Sequence, residues 1–175
     1  MNLKSKIREI PDWPKPGINF KDITTLLEDK EAFCEAVNLL AAPFADKKID
    51  KIVGIDARGF LLAAPVAYKL KTGLAIVRKK GKLPSNCIQI EYTLEYASNT
   101  IEMHDDAIKP GENVILIDDL CATGGTALAA CNLIERLGGK IIGVGFLVDL
   151  PFLNGSQKMK DKGYEFYSLV EYDSE

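Results

Sequence analysis

Residues 114–127 read VILIDDLCATGGTA. Four apolar residues in a row predict a buried strand. The strand runs into two adjacent aspartates, Asp118 and Asp119, and then into Ala122-Thr123-Gly124-Gly125-Thr126. TALAACNLIERLGG (126–139) follows with helical spacing and closing glycines. A strand, a glycine loop and a helix in this order form the opening of a βαβ unit.

Outward from that stretch the alternation continues. DKIVGID (50–56) predicts a strand, GFLLAAPVAYKLKTG (59–73) a helix ending near Gly73, and LAIVR (74–78) another strand. CIQIEYTLEY (87–96) and NTIEMHDDAI (99–108) predict the two arms of a hairpin, and KPGEN (109–113) a turn. KIIGVGFLVDL (140–150) and YEFYSLVEY (164–172) close the chain as strands. Near the start, residues 2–10 predict a short helix ended by Pro11, and 31–45 a longer one with Phe33, Val37, Leu40 and Phe44 at helical spacing. Between them, PDWPKPGINF (11–20) holds three prolines and a glycine, so a stiff, irregular segment is expected. The fold class expected is α/β, a mostly parallel central sheet flanked by helices, with right-handed crossovers. In such sheets ligands sit beyond the carboxyl ends of the strands. The loops after 50–56, 74–78 and 113–118 should therefore share one edge.

The bulk numbers narrow the function classes. A chain of 175 residues with 47% apolar and 27% charged residues fits one globular domain. A net charge of −3 provides no global basic field for nucleic acid. Cys34, Cys87, Cys121 and Cys131 show no C-x-x-C spacing and no metal-type pairing with the only histidine, His104, so free thiols in a reducing compartment are expected. MNLKSKIREI is too charged for a signal peptide. The apolar run FLLAAPVAY contains a proline and falls well short of the ~20 residues that span a bilayer. The expected location is cytoplasmic, with no membrane and no nucleic-acid partner.

The loop at 122–126 carries the chemistry. Backbone N–H groups at the start of a helix are unpaired and the helix dipole stands behind them. Glycines let the backbone wrap closely round an anion. Thr123 and Thr126 add hydroxyl donors, and the expected anion is a phosphate monoester. The pattern is neither a Walker A loop nor G-x-G-x-x-G. The alternative is a plain turn with Thr126 as an N-cap. Asp118 and Asp119 favour the ligand reading, because carboxylates accept hydrogen bonds from the 2′- and 3′-hydroxyls of a ribose. They also raise local affinity for Mg2+. Phosphate on one side and a diol on the other describe a ribose 5-phosphate.

VILIDDLCATGGT closely resembles the phosphoribosyl pyrophosphate motif of type I phosphoribosyltransferases. IPDWPKPGINFKDIT (10–24), GIDARGF (54–60), VRKKGKLP (77–84) and YTLEYASNTIEMHDDAI (92–108) match further, and together they resemble the adenine-specific members over nearly the whole chain. The resemblance implies a type I fold with a small hood, residues 1–30 forming a base-binding segment and 80–105 a flexible lid. It implies Mg2+ as cofactor, adenine, phosphoribosyl pyrophosphate (PRPP), AMP and diphosphate as ligands, and a homodimer.

Site roles follow from the same resemblance. Arg78, Lys79 and Lys82 would hold pyrophosphate, with Arg58 and Gly59 beside them. From its place alone, the Arg58 guanidinium fits either pyrophosphate or the purine edge. Phe20 would stack on adenine, the backbone of Asn19 would read the base edge, and Leu150 would cover the opposite face. A fixed backbone donor and acceptor discriminate adenine from hypoxanthine. Glu95, with Tyr96 on the lid, would handle the proton at N7. His104 is read as a hairpin residue outside the chemistry. The chain departs from the common pattern at four places. Asp56-Ala57 precedes Arg-Gly-Phe in place of Glu-Ser or Glu-Ala. Ala97 replaces a glycine, and Asn19 replaces an aliphatic residue. Cys121 replaces a leucine, and its thiol is expected to make the loop oxidation-sensitive. Two rivals remain on these residues: a sister enzyme using hypoxanthine, guanine or xanthine, and a non-catalytic PRPP sensor. A sensor would be expected to carry a basic face or an extra domain.

Overall fold

The computed structural model describes residues 1–94 and 97–174. Its centre is a seven-stranded sheet in the order β5-β6-β4-β3-β7-β8-β9. The strands are β3 (Lys51–Ile55), β4 (Gly73–Lys79), β5 (Cys87–Leu94), β6 (Ala97–His104), β7 (Asn113–Cys121), β8 (Lys140–Asp149) and β9 (Phe166–Glu171). From β4 through β9 the pairings are parallel, while β6 joins β4 antiparallel and β5 folds back on β6. The expected α/β class and the hairpin are both present. A separate ribbon pairs β1 (Arg8–Ile10) antiparallel with β2 (Phe20–Asp22).

The near-continuous apolar run of β7 follows from burial on both faces. Ile115 and Ile117 enter the core beneath α2 (Lys30–Ala41) and α3 (Arg58–Leu70). Val114 and Leu116 enter the opposite core, under α4 (Gly125–Arg136) and the hairpin. This period of two is the strand signature. It places α3 and α4 on opposite sides of one strand end, with their N-termini at the same edge.

Two local expectations are corrected. Residues 2–10 form a 3-10 turn, Leu3–Lys6, and then β1, instead of a helix. The backbone at Ile10 pairs with Phe20 across the proline segment, and Pro11 favours extended geometry at Ile10. The helix at 59–73 stops at Leu70, not near Gly73. Lys71 takes the left-handed conformation (φ 56°), Thr72 N–H returns to Ala67 O, and Gly73 opens β4. The sequence reading also lacked α1 (Thr24–Glu28) and α5 (Gly155–Asp161), both too short to show a period. Among the described residues, no helix is long and apolar enough to cross a membrane.

Candidate active site

The carboxyl ends of β3 and β7 open into a cavity of about 310 Å3 lined by residues 55–58, 118–127 and Phe146. Asp118 and Asp119 stand at its base. Asp118 Oδ1 accepts the N–H of Asp119 at 2.8 Å. Asp119 is 6% exposed, and its Oδ2 lies 2.9 Å from Arg58 Nε. That contact is an ion pair without hydrogen-bond alignment, so Oδ2 remains a buried acceptor with no donor. A buried acceptor left open is costly unless a ligand fills it. Burial, then the charge of Asp119, pushes the Asp118 carboxyl well above the usual range. Burial also raises Asp119, and Arg58 opposes that rise. The pair is thus poised to be held ionised by hydroxyl donors or by positive charge. Among the described residues, no three or more acidic, histidine or cysteine side chains cluster as a metal cage.

Packing forces the approach of α3. A Cβ on buried Gly59 would lie 2.5 Å from Asp118 Oδ1, so only glycine lets the helix start reach the acidic pair. Arg58, one residue earlier, sits between Asp119 and the Phe20 ring, whose centroid is 5.1 Å from its guanidinium carbon. Trp13 packs edge-on against Phe20 at 4.5 Å. Phe20 is not itself among the residues lining the cavity and adjoins it through Arg58. The Asn19 side-chain nitrogen donates to Glu9 Oε2 at 2.6 Å, while its Oδ1 is buried without a hydrogen-bond partner. Buried Lys21 reaches the same oxygen at 2.6 Å.

The loop at 122–126 closes the opposite wall. Gly124 has φ 80° and precedes α4, whose first intrahelical bond runs from Leu128 N–H to Gly124 O. The N–H groups of residues 125–127 therefore stay free at the cavity wall. Behind the loop lies a buttress with no counterpart in the sequence reading. Gly155 N–H donates to Ala122 O, Leu150 N–H to Cys121 O, and Lys158 Nζ to Thr123 O. Gly155 packs so closely that a Cβ there would collide with Ala122 O and lie 2.8 Å from Gly124 N. A glycine at the start of a short helix was the only available signal. Leu150 sits on this edge, half-buried against the core. Cys121 is 1% exposed, and burial with Asp149 beside it pushes its thiol up to about 12. A buried, protonated thiol is inert, so the expected oxidation sensitivity is not supported.

The basic turn lies on the hairpin side. Arg78 Nε donates to Asp56 Oδ2 at 3.0 Å, which ties β4 to the loop after β3. Lys79 and Lys82 are exposed. Glu102, 2% exposed on β6, accepts the N–H groups of Lys82 (3.0 Å) and Leu83 (2.9 Å). The backbone bonds from this turn, led by Leu83, hold its carboxyl below the usual range. Sequence reasoning missed Glu102 because a glutamate in a hairpin reads as solvent-facing. His104 bonds Pro84 O through Nε2 at 2.6 Å, outside the cavity lining. Glu95 and Tyr96 lie outside the described residues.

The chain matches the phosphoribosyl transferase domain family over residues 24–174. It is 54% identical over 172 residues to an adenine phosphoribosyltransferase of Alkaliphilus metalliredigens, covering 98% of this chain and 100% of that protein. The crystal structure of adenine phosphoribosyltransferase from Thermoanaerobacter pseudethanolicus superposes with a TM-score of 0.92 at 46% identity, covering 97% of this chain and 98% of that one. The Giardia lamblia enzyme complexed with 9-deazaadenine superposes with a TM-score of 0.92 at 35% identity, covering 98% and 96%. With these likenesses added to the βαβ core and its acidic, glycine-lined cavity, the chain belongs to the phosphoribosyl transferase family, on its adenine phosphoribosyltransferase branch.

Proposed function

We propose that the cavity joins adenine to 5-phospho-α-D-ribose 1-diphosphate, giving AMP and diphosphate. The observation that carries this reading is the buried Asp119 carboxylate, paired with Arg58 in a cavity whose far wall is a helix start with free N–H groups. The 5-phosphate sits on residues 122–126, and Asp118 and Asp119 accept the ribose hydroxyls. Binding energy from the remote phosphate then fixes the reacting carbon. Breaking the C1–O bond leaves positive character on the ribose, which the acidic pair stabilises, and negative charge on diphosphate. Arg58 offsets part of that charge, with Gly59 behind it and Arg78, Lys79 and Lys82 on the basic turn.

Adenine stacks on Phe20 under Leu150, and a purine ligand suits a chain similar to the Giardia lamblia enzyme complexed with 9-deazaadenine. The backbone of Asn19 reads its edge. The bond from the Asn19 side-chain nitrogen to Glu9 supports the backbone as the group that reads the base. Glu95 holds or transfers the N7 proton, and Tyr96 closes over it. The site suits Mg2+ that keeps waters and takes substrate oxygens as ligands, with Asp118 and Asp119 nearby. When bound, it offsets the charge of the leaving diphosphate.

We read residues 1–175 as one domain with 1–30 as hood and 80–105 as lid, and place it in the cytoplasm, which the four free thiols support. The homodimer reading is supported by α3, where Leu61 (50% exposed) and Tyr68 (88%) lie two turns apart on one uncovered apolar face. Tyr68→Asp should then sediment as a monomer, and an unchanged sedimentation coefficient would reject that face. The activity test is AMP formation with PRPP and a panel of bases, with and without Mg2+. Preference for hypoxanthine or guanine would move the chain to a sister activity, and AMP binding without turnover would favour the sensor.

A further inference from the structure

Tyr92 stands on β5, and its hydroxyl lies 2.8 Å from Thr126 Oγ1. Thr126 is the second residue of α4 and lines the main cavity. Both residues also border a smaller cavity of about 100 Å3 with Asp56, Arg78 and Lys79. The tyrosine therefore stands where the phosphate wall meets the basic turn.

A hydroxyl has one proton and two lone pairs. If the threonine proton points at Tyr92, it is lost to a phosphate. If Tyr92 donates instead, one lone pair of Oγ1 is filled and the threonine proton is free to turn into the cavity. An anion there selects the second arrangement, because phosphate oxygens accept and do not donate. Each bond then polarises the next. We propose that Tyr92 is a positioning residue for phosphate recognition, orienting the Thr126 hydroxyl toward the phosphate of the bound nucleotide or sugar. The inference rests on the phosphate-loop reading above.

The bond is not needed to seat the hairpin. Arg136 Nη1 holds Gln89 O at 2.9 Å, and Ile90 and the Tyr92 ring pack on the core of that face. Removing the hydroxyl alone leaves these contacts in place.

The test is calorimetry on the full chain with AMP and with adenosine, which lacks the phosphate. Tyr92→Phe should weaken AMP by roughly 3- to 10-fold, the size of one hydrogen bond, and leave adenosine unchanged. Added to Thr126→Val it should cost nothing further, whereas in Thr126→Ser its effect should persist. Equal weakening of AMP and adenosine would mark a merely structural tyrosine and overturn the proposal. So would an AMP affinity that Tyr92→Phe does not change, or an effect that survives in Thr126→Val. Wild-type protein that binds AMP no tighter than adenosine would remove the phosphate-loop reading itself, and this proposal with it.

Discussion

The loop at 122–126 and the turn at 79–83 are both assigned to phosphate oxygens, and they are built on different physics. The loop uses backbone: free N–H groups at the start of α4, Gly124 at φ 80°, and a buttress at Gly155 that leaves no room for a Cβ. The turn uses exposed lysine side chains, anchored on buried Glu102. A site made of shape should fail when its geometry moves and should be indifferent to salt. A site made of mobile charges should tolerate changes of shape and weaken as ions screen it.

Gly155→Ala is expected to have the largest effect. Its Cβ would displace Ala122 and Gly124, and a misplacement of about 1 Å costs on the order of 10²-fold in a positioned site. AMP affinity by calorimetry should fall by that order, while adenosine binding persists. Retained AMP affinity would show that the loop adapts and would erase the contrast. Glu102→Gln comes next, with KM for PRPP rising roughly 10-fold and AMP binding unaffected, as the proposed role of the turn toward the diphosphate requires. Loss of AMP binding as well would mean that the two regions are one unit. Because the folded carboxyl of Glu102 is depressed, its stabilisation is present above the usual value of about 4.3 and is lost only as pH falls through its lower folded value. Across neutral pH it should therefore leave KM flat.

Lys79→Ala with Lys82→Ala should raise KM for PRPP by roughly 3- to 5-fold at low salt. The difference should vanish near 1 M salt, where the screening length is about 3 Å. A difference that survives high salt would assign the lysines fixed, desolvated roles. The smallest effect is on stability. The folded carboxyl of Asp118 is raised, so the stability it contributes is present at low pH and is lost as pH rises through that raised value. Asp118→Asn should therefore melt about 3 °C above wild type at neutral pH, with turnover reduced and the gap closing on acidification. A lower melting temperature would show that the acidic pair is a structural brace and not a strained binding site.

Much of the loop half of the comparison was legible in the sequence. Gly124, Gly125 and the aspartates are contiguous, and glycine flexibility, helix-start N–H groups and neighbouring carboxylates act over a few residues. The turn half was legible only as a run of charge. The partner that organises it, Glu102, lies about 20 residues away and reaches it through strand pairing of β6 with β4. The same holds for the ribbon β1–β2, where the pattern at 2–10 suggested a helix until pairing with Phe20 claimed the backbone.

From its sequence alone this protein's α/β alternation, its buried strand, its glycine loop before a helix and its family were determined, because each rests on local period, backbone freedom or a contiguous motif. Tertiary structure alone decided that Asp119 is buried, that Arg58 lies between Asp119 and Phe20, and that Gly155 and Tyr92 flank the loop. Those facts depend on distances between residues far apart in the chain, and such distances are set by how the sheet and its helices pack.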